Sequence, residues 1–504
     1  MIRYKSSRQL SISEFKMPFE AKLDENNRWV VLSKIVPWEE FARLYYKNFK
    51  SNRGAPTKDA RLVLGVIIIK HIMKTDDRGV IEMIQENPYM QYFLGLEAFT
   101  YEQVMTPSLL VSIRKRIDLD VFESLTDDLI KKGLKLKAGA NQEEVDTVTK
   151  DDEDEDDNDD DPDPHPGNKG KLQMDATVCD ADIKYPTDLD LLNESRQKAE
   201  ELIDELCLKL GVQDKPRTYR RVARKDFLNV SKMKRKPANI LRQAIRKQIN
   251  YLKRDVRTIN GILDTIKDKP IPFDRRQLKY FFVIQHLLEQ QETMYKKKSH
   301  QVEDRIVNIH QPHVRPIVRG KAKAKTEFGA KINISLLDGY ARVDHFHWDA
   351  FNEGQDLQSQ VERFRKLTGK YPELVQVDKI YLTRENRRFL KEKGIRFTGE
   401  PLGRKPAKEI KSRYQKRKER REAAERNQVE GKFGQGKRGY GLNDIRARLS
   451  STSRSWIGAI IFVMNLIRHM RDIPLPYFVS LLQKLMIVRN INIYPLGPQM
   501  KLCA

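Results

Sequence analysis

Three acidic side chains, far apart in a 504-residue chain, stand where they could do chemistry together: Asp175 in "KLQMDATV", Asp378 in "PELVQVDKIYL" and Glu430 in "RNQVEGKFGQGKRGYGL". Carboxylate oxygens are hard ligands suited to Mg²⁺ or Mn²⁺. Two such ions about 3.5–4 Å apart activate a nucleophile and stabilise a leaving oxygen in an in-line phosphoryl displacement. Three carboxylates at one point repel each other, so such a site is expected to bind metal weakly until a phosphate oxygen joins it. Glu430 stands among the cations Arg426, Lys432, Lys437 and Arg438. That pattern suits a metal-holding carboxylate flanked by residues that grip a polyanion. Positions 426, 430 and 437 are offset by four and seven, so a continuous helix places them on one face. Gly434 and Gly436 weaken that helix, and Lys437 is expected on a loop just beyond its end. Each acid also has a plainer reading: Asp175 and Asp378 as strand-end turn formers, Glu430 as an ion pair with Arg426 one turn back. His345 and His347 share a strand face, but they read as packed or solvated histidines, as do His310 and His313.

These acids need rigid elements to carry them. Leu172, Met174 and Val178 mark a buried strand around Asp175, the first part of a core over residues 171–187. Residues 188–315 read as a helical insertion. Its seam runs through Leu241, Ile245, Ile249, Leu252, Val256, Ile259, Leu263 and Ile266, with partner helices on either side. The core resumes over 316–472. "EFGAKINISLLDGYARVDHFHW" is a hairpin turning at Asp338-Gly339. A helix, the strand ending near Asp378, a helix closed by Gly394 and the short strand "IRFTGEPLG" follow. A long basic helix then carries Glu430, and an apolar helix from Trp456 to Met470 covers the sheet. Alternating strands and helices with a hairpin imply an α/β fold with a mixed sheet, whose sites form where strand ends and helix starts converge.

The flanking regions differ in kind. Residues 1–136 read as an all-helical N-terminal domain. "PTKDARLVLGVIIIKHIM" begins with a Pro and a Thr able to cap, and the next two helices break at Asn87-Pro88. Short helices of this kind suit a helix-turn-helix-like DNA reader, and equally an ordinary bundle. Residues 137–170 read as an acidic disordered linker, with fourteen acids and one base between Glu143 and Asp163. Residues 473–504 read as a C-terminal tail.

The formal net charge is +24 and the pI about 9.6, despite that acidic run. Such a surface points to nucleic acid or an anionic membrane. The apolar run "WIGAIIFVM" has nine residues, and a membrane span needs about 20. The first residues, "MIRYKSSRQLSISEF", lack an apolar core and read as no signal peptide. Three scattered cysteines, Cys179, Cys207 and Cys503, imply a reducing compartment and no disulfide framework, and no CxxC pair supports a structural zinc.

In layout the chain resembles the RNase H-like core of bacterial insertion-sequence DDE transposases. Families around insertion-sequence types four and five carry a Tyr, two residues, Arg, three residues, the catalytic Glu, six residues and Lys. Arg426, Glu430 and Lys437 fit the last three positions, and Ala423 stands where the Tyr would be. "YPTDLDLLNESR" and "EFGAKINI" also look like the type-five branch, and the first 130 residues are similar to its N-terminal domain. The resemblance implies metal-dependent cleavage and strand transfer of DNA at element ends. Asp175, Asp378 and Glu430 would be catalytic and would bind two Mg²⁺ ions, with Mn²⁺ able to substitute. Arg426, Lys437, Lys432 and Arg438 would hold DNA. The implied partners are double-stranded DNA, as terminal inverted repeats and target, and a second copy of the chain on that DNA, in the bacterial cytoplasm. Two rival readings remain at this level: a resolvase or repair nuclease of the same fold, and a transposase-derived DNA-binding protein with idle carboxylates.

Overall fold

The structure, a computed structural model, describes residues 11–16, 22–47, 57–144, 167–266, 270–318, 326–399 and 413–472. Most of the expected acidic linker, the stretch Arg404–Ser412 and the tail 473–504 lie outside the described residues. Seven α-helices come first among the described residues: α1 (Arg28–Ile35), α2 (Trp38–Lys47), α3 (Ala60–Met73), α4 (Asp77–Glu86), α5 (Pro88–Phe93), α6 (Pro107–Arg114) and α7 (Leu119–Glu144). The cap of α3 is Asp59, whose carboxylate accepts from the Arg61 and Leu62 amides, rather than the preceding Pro or Thr. Asn87 is extended before Pro88, which ends α4, and its side chain caps α5. Helix α7 runs to Glu144, so the first residues assigned to the linker are helical.

Strand β1 (Lys171–Asp180) is followed by α8 (Asp188–Leu210), α9 (Arg220–Ser231), α10 (Ala238–Asp264) and α11 (Arg275–Lys297). Then come β2 (Arg315–Val318), β3 (Thr326–Leu337), β4 (Tyr340–His347), α12 (Leu357–Thr368), β5 (Leu374–Gln376), α13 (Arg384–Glu392), β6 (Arg396–Thr398), α14 (Arg413–Tyr440) and α15 (Ser450–Asp472). Asp338 and Gly339 both have positive φ (50° and 83°), as the tight turn between β3 and β4 demands. The sheet runs β3-β1-β5-β6, with β4 and β2 sharing the outer edge of β3. β3 is antiparallel to β1, and β5 and β6 are parallel to it. The fold is thus mixed α/β behind a helical N-terminal region.

Helix α15 explains its own apolar sequence by being buried on two sides. Phe462, Val463 and Leu466 pack into the core of α2 to α7, while Ile457, Ile460 and Ile461 pack on Ile332 and Ile334 of β3. The N-terminal helices therefore share a wall with the sheet. The opposite sheet face is closed by Leu357, Val361 and Phe364 of α12 over Leu172 and Met174. The expected seam of α10 is buried at Ile249, Leu252, Val256 and Ile259 against α8 and α11, so it pairs within the chain. No helix among the described residues is long and apolar enough to cross a membrane. Cys179 and Cys207 are buried free thiols.

Candidate active site

The strands β1 and β5 carry the same short pattern, Gln-x-Asp: Gln173-Met174-Asp175 and Gln376-Val377-Asp378. Their parallel ladder sets Gln173 beside Gln376. Each aspartate lies two residues further on, at matched positions where the ladder ends. Side chains alternate faces along a strand, so Met174 and Val377 enter the α12-side core, while the glutamines and aspartates turn toward α14. Both glutamines are buried. Gln173 Nε2 donates to Gln376 Oε1 at 2.8 Å and to the Glu425 carbonyl at 2.7 Å, and Gln376 Nε2 donates to the Glu422 carbonyl at 3.0 Å. Two ion pairs at 2.7 Å, Lys171–Glu425 and Arg396–Glu422, flank these bonds. Helix α14 is thereby pinned across the two strands. Val429 and Phe433, further along it, are buried with β3 and α15. These glutamines escaped the reading of the sequence, although the repeated Gln-x-Asp was there to be seen.

Asp175 is partly buried opposite Ile334, and its Oδ1 accepts from the Ala176 amide at 2.8 Å. Asp378 is exposed, heads the short turn Lys379–Tyr381, and is ion-paired with Arg426 of α14. Glu430, one turn beyond Arg426, is exposed. The structure thus brings Asp175, midway along β1, and Asp378, just past β5, to matched positions beyond the end of the β1–β5 ladder, and sets Arg426 on Asp378. The three acids are not gathered as one ligand set: among the described residues no three His, Cys, Asp or Glu side chains form a group able to hold a metal ion. The donor chemistry of the three, all carboxylate oxygen, suits Mg²⁺ or Mn²⁺.

The cations around Glu430 divide. Lys437 lies within α14, because the helix continues through both glycines to Tyr440; the expected loop is absent. Packing overrides glycine's weak propensity: Phe433 and Tyr440 on either side of the glycines pack with Leu442 and Met464, and a Cβ on Gly436 would meet those two tightly, at 3.1 and 3.3 Å. Lys432 faces inward. It is 9% exposed, and its Nζ donates to the Gly339 carbonyl at 3.1 Å. Burial, with the Arg468 charge behind it, lowers its pKa to about 8. Arg438 is exposed, and its carbonyl accepts from Lys74 Nζ at 2.9 Å, tying α14 to the end of α3. The histidines have local partners: His345 Nδ1 lies 2.9 Å from Asp356, and His310 Nδ1 lies 2.8 Å from the Tyr280 hydroxyl.

Sheet, acids and cations together define a class: α/β proteins with aspartates on adjacent parallel strands beneath a basic helix. Residues 375–467 match the family described as "Transposase DDE domain", and residues 17–116 match "Transposase domain (DUF772)". Together the two matches indicate an insertion-sequence DDE transposase. A protein of Rhizobium meliloti, "Uncharacterized protein ORF8 in nfe locus", is 30% identical over 121 residues, which are 24% of this chain and 58% of that protein. The chain therefore spans a little over half the length of that relative. No solved structure matches the chain.

Proposed function

We propose that this chain is a transposase that cuts DNA at the ends of an insertion sequence in a metal-dependent reaction and joins the freed 3′ ends to target DNA. The observation that carries this reading is the matched Gln-x-Asp pair on adjacent parallel strands, crossed by the helix of Arg426, Glu430 and Lys437. The strand order, with β5 and β6 parallel to a central β1 and the β3–β4 hairpin antiparallel to it, supports an RNase H-like core.

Asp175, Asp378 and Glu430 would hold two Mg²⁺ ions, with Mn²⁺ able to substitute. When bound, the ions would supply Lewis-acid activation of the attacking oxygen and charge neutralisation at the leaving oxygen. The chain's own residues position the reaction. Gln173 and Gln376 fix α14, and so fix where Glu430 stands relative to the two strands. Arg426 neutralises Asp378 in the free protein, and on DNA the same guanidinium would grip a phosphate beside the scissile bond. Lys437 and Arg438 extend that grip along α14. Lys432, turned to Gly339, supports the helix instead. The N-terminal helices would bind the terminal inverted repeats. Two copies would pair two ends, because both ends join one target. The site of action is the bacterial cytoplasm, at the nucleoid when DNA is bound.

The test is cleavage and joining of a labelled element end in Mg²⁺ or Mn²⁺, intact protein against Glu430→Gln. The expected result is loss of both steps with DNA affinity kept. Equal activity in both proteins rejects the assignment of Glu430, and hydrolysis without joining by the intact protein replaces the transposase with a nuclease.

A further inference from the structure

Helix α9 gives the fold little apolar burial. Only Ala223 and Val230 along it are buried. It is held by polar anchors instead. Arg220 forms a two-point pair with Asp204 at 3.0 and 2.7 Å, and Gln248 donates to the Ala223 carbonyl at 2.9 Å. Tyr219, at its head, has the guanidiniums of Arg217 and Arg254 over its ring, 4.5 and 4.3 Å from the centroid. So α9 is firmly oriented, and its outward face is strongly basic. From Lys215 to Lys236 there are ten bases and one acid. That acid, Asp226, turns to α10, where it takes Lys247 at 3.3 Å and the Tyr251 hydroxyl at 3.0 Å.

Arg221, Arg224 and Lys225 form one exposed stripe at helical spacing, and Lys234 and Arg235 are exposed in the loop to α10. Among the described residues none of these five is in an ion pair. A merely solvated helix face relieves like-charge repulsion by interspersing acids, and this face does not. Twelve residues of helix span roughly 18 Å, the length of about five base pairs at 3.4 Å each.

We infer that the outward face of α9 and its loop to α10 dock the phosphate backbone of duplex DNA. This second contact lies outside the elements that carry Asp175, Asp378 and Glu430, and it rests on the transposase reading. The charge density decides for DNA, since a polymer with one negative charge per roughly 1.7 Å answers a face of exposed cations with no acid among them.

The experiment measures binding of the full chain to a mixed-sequence DNA duplex between roughly 50 and 200 mM salt. The intact protein is compared with a variant carrying Arg221→Gln, Arg224→Gln, Lys234→Gln and Arg235→Gln. Each lost phosphate contact takes about 0.9 from the log–log salt slope, so the fourfold variant should be shallower by about 3 to 4. Lysine at positions 221, 224 and 235 should keep most of the slope. Should the fourfold variant fail to fold, Arg224→Gln alone should remove about one. An unchanged slope overturns the proposal. So does unchanged DNA binding with lost binding to poly-glutamate, which would reassign the face to an acidic polypeptide. The two readings fail separately: an intact slope in the α9 variant, with cleavage still lost in Glu430→Gln, removes this surface and leaves the transposase. A flattened slope with cleavage indifferent to Glu430→Gln does the reverse.

Discussion

Replacing Lys432 by methionine should stabilise the protein at neutral pH and leave its hold on DNA unchanged. Lys432 is 9% exposed, and its ammonium donates to the Gly339 carbonyl at 3.1 Å. Burial lowers its pKa from 10.5 to about 8, which corresponds to about 3 kcal/mol against the charged form in the fold. Because the folded value lies below the unfolded one, the unfolded chain binds more protons between about pH 8 and 10.5. The penalty is therefore full below about pH 8 and fades as pH rises toward 10.5. Methionine keeps the length and the buried stem without the charge, and the partly exposed Gly339 carbonyl can turn to water. The expected gain for Lys432→Met is about 1–3 kcal/mol at pH 7, part of the penalty being offset by the lost hydrogen bond. Urea unfolding followed by circular dichroism at pH 7 and pH 10 reads it, and the difference from the intact protein should shrink at the higher pH. DNA titrations against salt complete the test. A loss of stability at pH 7, or a salt slope lower by about one, as removal of a phosphate-binding lysine gives, would refute the inward role of Lys432.

Other outcomes follow from the same contacts. Gln376→Leu removes the acceptor Gln376 offers Gln173 and the donor it gives the Glu422 carbonyl, leaving only the Gln173 bond to the Glu425 carbonyl as a glutamine tie from the strands to α14. It should cost about 1–2 kcal/mol in chemical unfolding and lower cleavage more than DNA affinity, because α14 loses one of its anchors; cleavage unchanged despite that instability would detach the glutamines from the site. Asp77→Ala strands the buried Lys70 and Arg114 together beneath Trp456, and should cost about 3–5 kcal/mol. In the intact protein burial raises the Asp77 pKa, but the Arg114 hydrogen bond and the Lys70 charge outweigh it and hold the group at about 2. Its contribution is therefore present above about pH 4 and lost as pH falls toward 2. A pH titration of the unfolding midpoint in the intact protein and Asp77→Ala should converge at the acid end; parallel curves would contradict the pairing.

Much of this architecture was legible because periodicity and turn chemistry are local. The hairpin at Asp338-Gly339, the break at Asn87-Pro88 and the seam of α10 each follow from a few adjacent residues, and each is present. Other features depend on partners distant in the chain. Gly434 and Gly436 spoke for a broken helix, yet α14 runs on to Tyr440, with Phe433 and Tyr440 packed on Leu442 and Met464 from beyond the helix. Lys432 read as one more cation around Glu430. Yet at about 100° per residue it falls well away from Arg426 and Lys437, on the side of α14 that meets the hairpin. The sharing of α15 between the N-terminal helices and the sheet left no local mark beyond an unusually uniform apolar run. Asp175 was readable as an acid within a strand and Asp378 as one at a strand's end, and so they stand. Their matched register required the β1–β5 pairing across the whole helical insertion, which no short window contains.

The most direct test of the proposed site is to count Mn²⁺ ions bound to the full chain on an element-end duplex by electron paramagnetic resonance. The intact protein is compared with Asp175→Asn, Asp378→Asn and Glu430→Gln. Each substitution is expected to remove Mn²⁺ from the complex while DNA stays bound. Full Mn²⁺ occupancy in any one of the three would contradict a shared metal site and take that carboxylate out of it.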